Sequence, residues 1–301
     1  MKIFVTGATG YLGHAVAAEL LGAGHEVAGL TSSDAKVEQL ERAGISPVVG
    51  DIGDPGSYRA AAARAEASIH CAVEYSEDSV DKDAAAIDTL LSAAGEGRMP
   101  RPVVYTSGVW VLGETGDMPA DETSATDVPA AAVAWRPGHE QEVLGGGRGV
   151  IPAVIRPGVI YGGKRGLMGR FFATAEEDGA AIYYGEGRGR MALVYLEDAA
   201  RVYRMVVEKE AAGVFHAVDG TPVPMIEVAR RASEAAGAGG AVRSAPVDVL
   251  RAELGPAADA LMLDQVVSAR RSEEELGWVP EQGSFGDGVH LAYREWKGSA
   301  P

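Results

Sequence analysis

The chain has 301 residues, 47% of them apolar, and its 43 acidic against 27 basic residues give a formal charge of −16. That length bounds it to one large domain or two small ones, and the apolar fraction suffices for a packed core. So negative a field repels nucleic acid and anionic membranes, no apolar run approaches the roughly 20 residues that span a bilayer, and a single cysteine, Cys71, excludes an intramolecular disulfide.

An apolar strand over residues 2–5 runs into Thr6-Gly7-Ala8-Thr9-Gly10-Tyr11-Leu12-Gly13, and an Ala/Leu-rich helical pattern occupies 14–23. Strand, glycine turn and helix in this order make a dinucleotide-binding turn. Gly7 permits the tight turn, Gly10 lets a pyrophosphate approach the backbone, and Gly13 lets the helix pack close to the sheet. Thr9, Tyr11 and Leu12 lie at the helix start, where free N–H groups and the dipole favour phosphate. Further apolar runs at 26–31, 46–50, 67–72, 102–107 and 151–156 alternate with helical patterns near 34–43, 57–65, 80–97 and 136–146. The runs are continuous rather than alternating, which predicts parallel strands covered on both faces. Right-handed crossovers then give a doubly wound sheet with a crevice at the strands' carboxyl ends.

Cys71 sits inside the apolar run Ser68-Ile69-His70-Cys71-Ala72-Val73 and reads as a buried strand cysteine before it reads as a nucleophile. Helix 80–97 presents Val80, Ala84, Ile87 and Leu91 on one face, for packing on the sheet or for a dimer contact. Residues 113–134, rich in Glu, Asp, Thr and Pro, form either a functional loop or a solvated excursion. After Arg156 the rhythm changes. Residues 157–190 are rich in glycine and aromatics, a helix at 197–209 and a strand at 214–217 follow, and the remainder reads as mostly helical. The expected fold is α/β: a Rossmann doubly wound parallel sheet over 1–165, completed by strands within 191–218, with 166–190 and 219–301 as a smaller C-terminal substrate lobe. With the first strand at the start of the chain no signal peptide is expected, and the protein reads as cytoplasmic.

Four further pieces, in order, resemble the extended and atypical short-chain dehydrogenases/reductases of the NAD-dependent epimerase/dehydratase type. They are Val48-Val49-Gly50-Asp51-Ile52, Ile69-His70-Cys71-Ala72, Val103-Val104-Tyr105-Thr106-Ser107-Gly108 with Gly113, and Arg156-Pro157-Gly158-Val159-Ile160-Tyr161-Gly162, with a weaker Leu276-Gly277-Trp278-Val279-Pro280 near the end. The resemblance implies that Asp51 and Ile52 meet the adenine. It implies that Cys71, Ala72 and Val73 line the nicotinamide ribose, with Thr106 and Ser107 beside the cofactor, and that Pro157, Gly158 and Val159 touch the nicotinamide amide. Asp51 is otherwise a loop cap, and Pro157-Gly158 a turn after a strand.

The family's chemistry rests on a Ser/Thr with Tyr-x-x-x-Lys on a helix, a spacing that puts phenol and ammonium on one face. Residues 130–145 hold neither Tyr nor Lys; the same spacing carries Trp135-Arg136-Pro137-Gly138-His139, with Glu142 beyond. Aligned on Gly113, the position expected for the hydroxyl is Gly108, with Thr106 and Ser107 just before it. The chain therefore resembles the atypical branch that keeps the glycine turn and lacks the pair. Hydride transfer survives that loss, because the cofactor carries the hydride, but the proton needs another source. Ser107, Thr106, His139 and Tyr161 are the candidates. His139 is alternatively a helix-start histidine that is solvated or paired with Glu142, and Tyr161 a packing residue.

The second strand ends at Thr31-Ser32-Ser33-Asp34-Ala35-Lys36, with no acid at its tip to hold a ribose 2′-hydroxyl. Asp34 reads as a helix N-cap. Ser32 and Ser33 can bond a 2′-phosphate and Lys36 can reach it, which favours NADP(H) over NAD(H). Glu74, Tyr75, Gly108, Val109, Trp110, Trp135, Tyr161, Tyr183 and Tyr184 are the expected substrate-facing residues, an aromatic set with few charges. Arg165, Arg170, Arg188 and Arg190 are available to hold a sugar diphosphate or belong to a solvated turn. The expected function is an NAD(P)-dependent oxidoreductase acting on a small aromatic or hydrophobic carbonyl or hydroxy compound, as a monomer or homodimer and with no metal. The alternatives are a cofactor-binding sensor or scaffold without turnover, a repurposed isomerase, dehydratase or cyclase, and a nucleotide-sugar epimerase/dehydratase.

Overall fold

The computed structural model describes residues 1–74 and 76–298. In chain order the elements are β1 (Lys2–Thr6), α1 (Tyr11–Gly22), β2 (Glu26–Thr31), α2 (Val37–Arg42), β3 (Ser46–Val49), α3 (Pro55–Arg64), β4 (Ala67–His70), α4 (Ser79–Gly95), β5 (Arg101–Thr106), α5 (Arg136–Gly145), β6 (Val150–Pro157), β7 (Val159–Tyr161), α6 (Gly169–Asp178), β8 (Ala181–Tyr184), β9 (Arg190–Met191), β10 (Leu193–Tyr195), α7 (Leu196–Glu208), β11 (Gly213–Ala217), β12 (Val223–Pro224), α8 (Met225–Ala235), β13 (Val242–Ala245), α9 (Val247–Leu254), α10 (Ala257–Leu261) and α11 (Phe285–Lys297). Seven strands form the central sheet in the order β11-β6-β5-β4-β1-β2-β3. The pairs β2–β3, β1–β2, β1–β4, β4–β5 and β5–β6 are parallel.

The βαβ rhythm read from the sequence is thus the observed one, and its cause is visible in the burial. Ile3, Phe4, Val5, Ile69, Val103, Val104, Val154 and Ile155 are all sealed inside, as strands flanked by helices on both faces require. The strand order reverses between β1 and β4, so their carboxyl ends splay into the crevice where doubly wound sheets bind ligands.

The chain divides into two compact units. The first comprises Met1–Ser107, Trp135–Ile155 and Ala200–Phe215; the second comprises Gly108–Ala134, Arg156–Ala199 and the described residues from His216 onward. Within the second unit Phe171, Phe172, Met191, Tyr195, Val228, Phe285 and Val289 build an aromatic-rich core. Its two-stranded ribbons β10–β7, β12–β9 and β13–β8 are small. Ribbons of two to four residues carry too little period-2 pattern to stand out from glycine-rich sequence, which is why 157–190 reads only as rich in glycine and aromatics and 219–301 as mostly helical. The acidic stretch 113–134 is stitched to 264–268 inside this unit: Ala120 N donates to Val266 O at 2.9 Å, and Ser268 N donates to Ala120 O at 2.9 Å.

Three local expectations are corrected. Asp34 does not cap a helix through its side chain; it opens a short 3₁₀ turn after Ser33. β4 ends at His70, so Cys71 lies just past the strand, half-buried. The inner face of α4 is Asp83, Ala86, Ile87, Leu90 and Ala94; of the expected set Ile87 is buried, Ala84 and Leu91 are half-buried and Val80 is exposed. A stripe set by hydrophobicity alone leaves out Asp83, a carboxylate that the fold buries.

Candidate active site

The opening turn is built by backbone contact. Gly7 has φ +68°, and a Cβ there would meet Ala72 N at 2.7 Å and the Cys71 carbonyl at 2.8 Å. A Cβ on Gly13 would lie 2.2 Å from Gly7 O, so α1 can approach the turn only with glycine at that position. Gly10 N donates to Gly7 O at 2.8 Å, which closes the turn. Helix α1 then starts with Gly10 at its N-cap, no side-chain cap and no acid in its first turn. Thr9 lies in the turn, with Tyr11 and Leu12 opening the helix. An uncapped helix N-terminus behind a glycine turn at the end of β1 fits a pyrophosphate.

The next carboxyl end, that of β4, carries a charged cluster that lies wholly in the first unit. Asp83, on the inner face of α4, is 5% exposed. Its Oδ1 lies 3.1 Å from His70 Nε2; its Oδ2 accepts from Tyr105 OH at 2.9 Å and lies 2.7 Å from His139 Nδ1. His70 Nδ1 is 2.6 Å from Thr6 Oγ1, which also accepts from Ala72 N at 3.2 Å. Arg136 donates through one Nη to Tyr105 OH at 3.2 Å and to Thr106 O at 2.5 Å. Its guanidinium covers the Trp135 ring at 4.5 Å, and that ring meets His139 edge-on at 4.9 Å. Burial opposes ionisation of Asp83. The hydrogen bonds from His139 and His70 and the charge of Arg136 outweigh it and hold the carboxyl well below the usual carboxylate range. Burial pushes the Tyr105 hydroxyl far above its ordinary value, and the Asp83 charge adds to this.

Beside this cluster, Thr106 Oγ1 accepts from Tyr203 OH at 3.0 Å and donates to Cys71 Sγ at 3.4 Å. Burial pushes the Cys71 thiol up to about 12, which leaves no thiolate near neutrality. Ser107 Oγ is buried without a hydrogen-bond partner among the described residues, although its N–H donates to Ile155 O at 2.8 Å. Ala72, Val73 and Glu74 line a small cleft with Ile52, His70 and Lys82, and Lys82 holds the Glu74 carboxylate at 2.7 Å. Asp51 Oδ1 accepts from Gly53 N at 2.7 Å, an Asx turn that shapes the 51–53 loop. At the end of β2, Thr31 and Ser33 bond one another, and Ser32 is exposed.

The remaining sequence candidates belong to the second unit. Gly108 precedes a 3₁₀ turn over Val109–Leu112; Val109 is buried and Trp110 packs half-buried on the aromatic core. Gln265, itself buried, holds that turn by donating to Val109 O at 2.8 Å and Gly113 O at 2.9 Å. Pro157 ends β6. Gly158 N donates to Ala217 O at 2.9 Å, and a Cβ on Gly158 would strike Ala192 O at 2.5 Å before β7 begins at Val159. Tyr161 is fully enclosed, edge-on to Tyr195 and Phe285 at 5.1 Å and 5.0 Å, and its hydroxyl has no hydrogen-bond partner among the described residues. Tyr183 and Tyr184 lie on β8, with Tyr183 packed against Gly187. Tyr75 lies outside the described residues.

Asp83, His70 and Thr6 were not singled out from the sequence as site residues, nor were Tyr105 and Arg136. One signal was there: an aspartate at helical spacing from Ile87 and Leu90 faces the core and must find donors.

These features define a class. Residues 3–218 match the NAD dependent epimerase/dehydratase family, and the chain belongs to it. An uncharacterized protein of Saccharomyces cerevisiae, YLL056C, is 30% identical over 304 residues, which cover 97% of this chain and 99% of that one. A 3-diazoavenalumate denitrifying reductase from Streptomyces is 26% identical over 318 residues, covering 96% and 99%. The crystal structure of the human epimerase family protein SDR39U1 (isoform 2) with NADPH superposes with a TM-score of 0.81 at 19% identity over 98% of this chain and 99% of that one, a likeness of fold. A nicotinamide cofactor and a small-molecule substrate follow from the family. No helix among the described residues is long and apolar enough to cross a membrane.

Proposed function

We propose that the protein is an NAD(P)H-dependent reductase of small, apolar carbonyl compounds, with His139 as its proton donor. The carrying observation is the His139–Asp83 pair. A buried carboxylate holds the imidazole by Nδ1, which leaves Nε2 as the proton-exchanging atom on the helix where Trp135 stands in place of the family's tyrosine. A bound nicotinamide dinucleotide would supply the hydride. Gly7, Thr9, Gly10, Tyr11, Leu12 and Gly13 would hold its diphosphate, Asp51 and Ile52 the adenine, and Cys71, Ala72 and Val73 the ribose; Pro157, Gly158 and Val159 keep the amide role that the resemblance implies. With Nδ1–H on Asp83 and a second proton on Nε2, the His139 imidazolium would give its Nε2 proton to the substrate oxygen as negative charge develops there. The ring returns to neutral with Nδ1–H still on Asp83. Ser107, whose hydroxyl is buried and unpartnered, is assigned as a second donor to that oxygen, while Thr106 is already engaged on both sides. Tyr161, sealed in an aromatic core, is assigned to packing.

NADP(H) is the assigned cofactor, because β2 ends without a carboxylate and Ser32, Ser33 and Lys36 follow. A nucleotide-sugar substrate is disfavoured. Three of the four arginines available for its diphosphate are already paired: Arg170 with Glu253, Arg188 with Glu186, and Arg190 with Asp264 and Asp117. A relative named a reductase supports the reaction type. The test is to incubate the purified protein with NADPH or NADH and a panel of ketones, quinones and enones while following cofactor absorbance. Consumption with an apolar carbonyl compound is expected; tight cofactor binding with no consumption across the panel would overturn the proposal in favour of a non-turnover binding protein.

A further inference from the structure

We infer that Asp83, His70 and Thr6 form a positioning chain that locks the neutral His70 and His139 rings in opposite tautomers and so aims His139 Nε2, the atom that takes up and delivers the proton, away from the carboxylate. The catalytic consequence rests on the reductase assignment above; the tautomers themselves do not.

The polarity of the chain follows from counting donors. An ionised carboxylate only accepts, so all three groups on Asp83 must donate: Tyr105 O–H, His70 Nε2–H and His139 Nδ1–H. Arg136, which also only donates, occupies the lone pair of the Tyr105 hydroxyl and directs its proton to Asp83. A neutral His70 that donates from Nε2 must accept at Nδ1. Thr6 Oγ1 is the donor there, at 2.6 Å, and its own acceptor site is filled by Ala72 N–H. Hydrogen bonds therefore point one way, from Ala72 through Thr6 and His70 to Asp83, and meet the bond from His139 coming in from the other side. Every buried polar atom in the chain has a partner only in this arrangement; the other tautomer of either ring would set a lone pair against the carboxylate.

The chain also ties proton transfer to the dinucleotide turn. Thr6 is the last residue of β1, immediately before Gly7, and Gly7 rests on the backbone of Cys71 and Ala72. A shift of the turn must therefore disturb Thr6 or Ala72, and through His70 the carboxylate that aims His139. Asp83 and His70 act through His139 and are positioning residues.

The experiment is nitrogen-15 NMR of the histidine ring nitrogens in the protein without cofactor, with Asp83→Asn and Thr6→Val alongside. Expected in the wild type are an Nδ1–H signal for His139 and an Nε2–H signal for His70. Thr6→Val removes the donor to His70 Nδ1 and leaves Asp83 on Nε2, so His70 should keep its Nε2–H while its Nδ1 resonance shifts as that lone pair loses its partner. Asp83→Asn, whose amide can donate as well as accept, should release both rings. In turnover assays Asp83→Asn should lower kcat by about 10²- to 10⁴-fold, the range for losing an oriented acid–base imidazole, while the cofactor dissociation constant changes by less than about 3-fold. Both rings in the same tautomer, or rings averaging between tautomers in the wild type, would overturn the inference. So would an Asp83→Asn variant that loses cofactor binding while kcat at saturation is unchanged. If Asp83→Asn fails to fold, the wild-type spectrum and Thr6→Val still decide. Failure of the reductase assignment shows separately, as no cofactor consumption by a wild type whose ring signals are as expected.

Discussion

Asp83 is buried and Asp219 half-buried, and the two units treat these carboxylates in opposite ways. In the first unit Asp83 accepts from two imidazoles and a phenol with an arginine nearby, and it stays ionised. In the second unit, among the described residues, the Asp219 carboxylate accepts only from the backbone N–H groups of Thr221 and Phe285, at 2.8 Å and 3.0 Å. Burial, helped by the like charges of Asp198 and Asp287, pushes it up to about 7. Burial opposes the charge in both cases, and the neighbours decide the outcome. The first unit has gathered compensating charge around a buried carboxylate, the arrangement found where protons are moved. The second has gathered aromatic rings, and its half-buried acid drifts toward the neutral form.

The contrast breaks first at His139. Replacing it with Gln should lower kcat by about 10²- to 10⁴-fold, with cofactor affinity measured by calorimetry little changed. A variant with undiminished turnover would dissolve the assigned difference between the units. Gly13→Ala should act on the other half of the same unit. Its Cβ has no room beside Gly7 O at 2.2 Å, so the turn must open, and binding of the reduced cofactor should weaken by about 10²-fold, the scale expected for a displacement of an ångström.

How far the sequence reaches follows the same division. The glycine turn was legible because its three glycines, strand and helix are contiguous. The apolar strands were legible because each is buried on both faces. The Asp83 cluster was not, because its partners come from β4, β5 and α5 and stand 13, 22 and 56 residues away; only the sheet order places them around one carboxylate. The replacement of Tyr-x-x-x-Lys by Trp135 and His139 was visible, and it pointed to His139 without indicating what holds it. Tyr161 shows the reverse limit. Its motif suggested chemistry, while its enclosure depends on Phe285 and Gly288 more than a hundred residues later.

The second unit offers the smaller tests. Tyr161→Phe removes a buried hydroxyl that bonds nothing, so it should raise stability by about 1 kcal/mol, read as a higher Tm, and leave kcat unchanged. A fall in kcat would return Tyr161 to the list of proton donors.

The last test uses the sign of the Asp219 shift. An aspartate with an unfolded value of about 3.9 and a folded value of about 7 binds its proton more tightly in the native state. Its contribution to stability is therefore fully present below about pH 4 and is lost as the pH rises toward 7. Asp219→Asn cannot titrate. It keeps one oxygen for the two backbone N–H groups, and its own stability carries no pH-dependent part from this position. The Tm difference between wild type and Asp219→Asn should thus shrink by a few degrees between pH 5 and pH 8, as the wild type loses its proton and the variant does not. Parallel Tm curves across that range would mean that Asp219 is ionised throughout, and that the second unit holds its half-buried carboxylate as well as the first unit does its own.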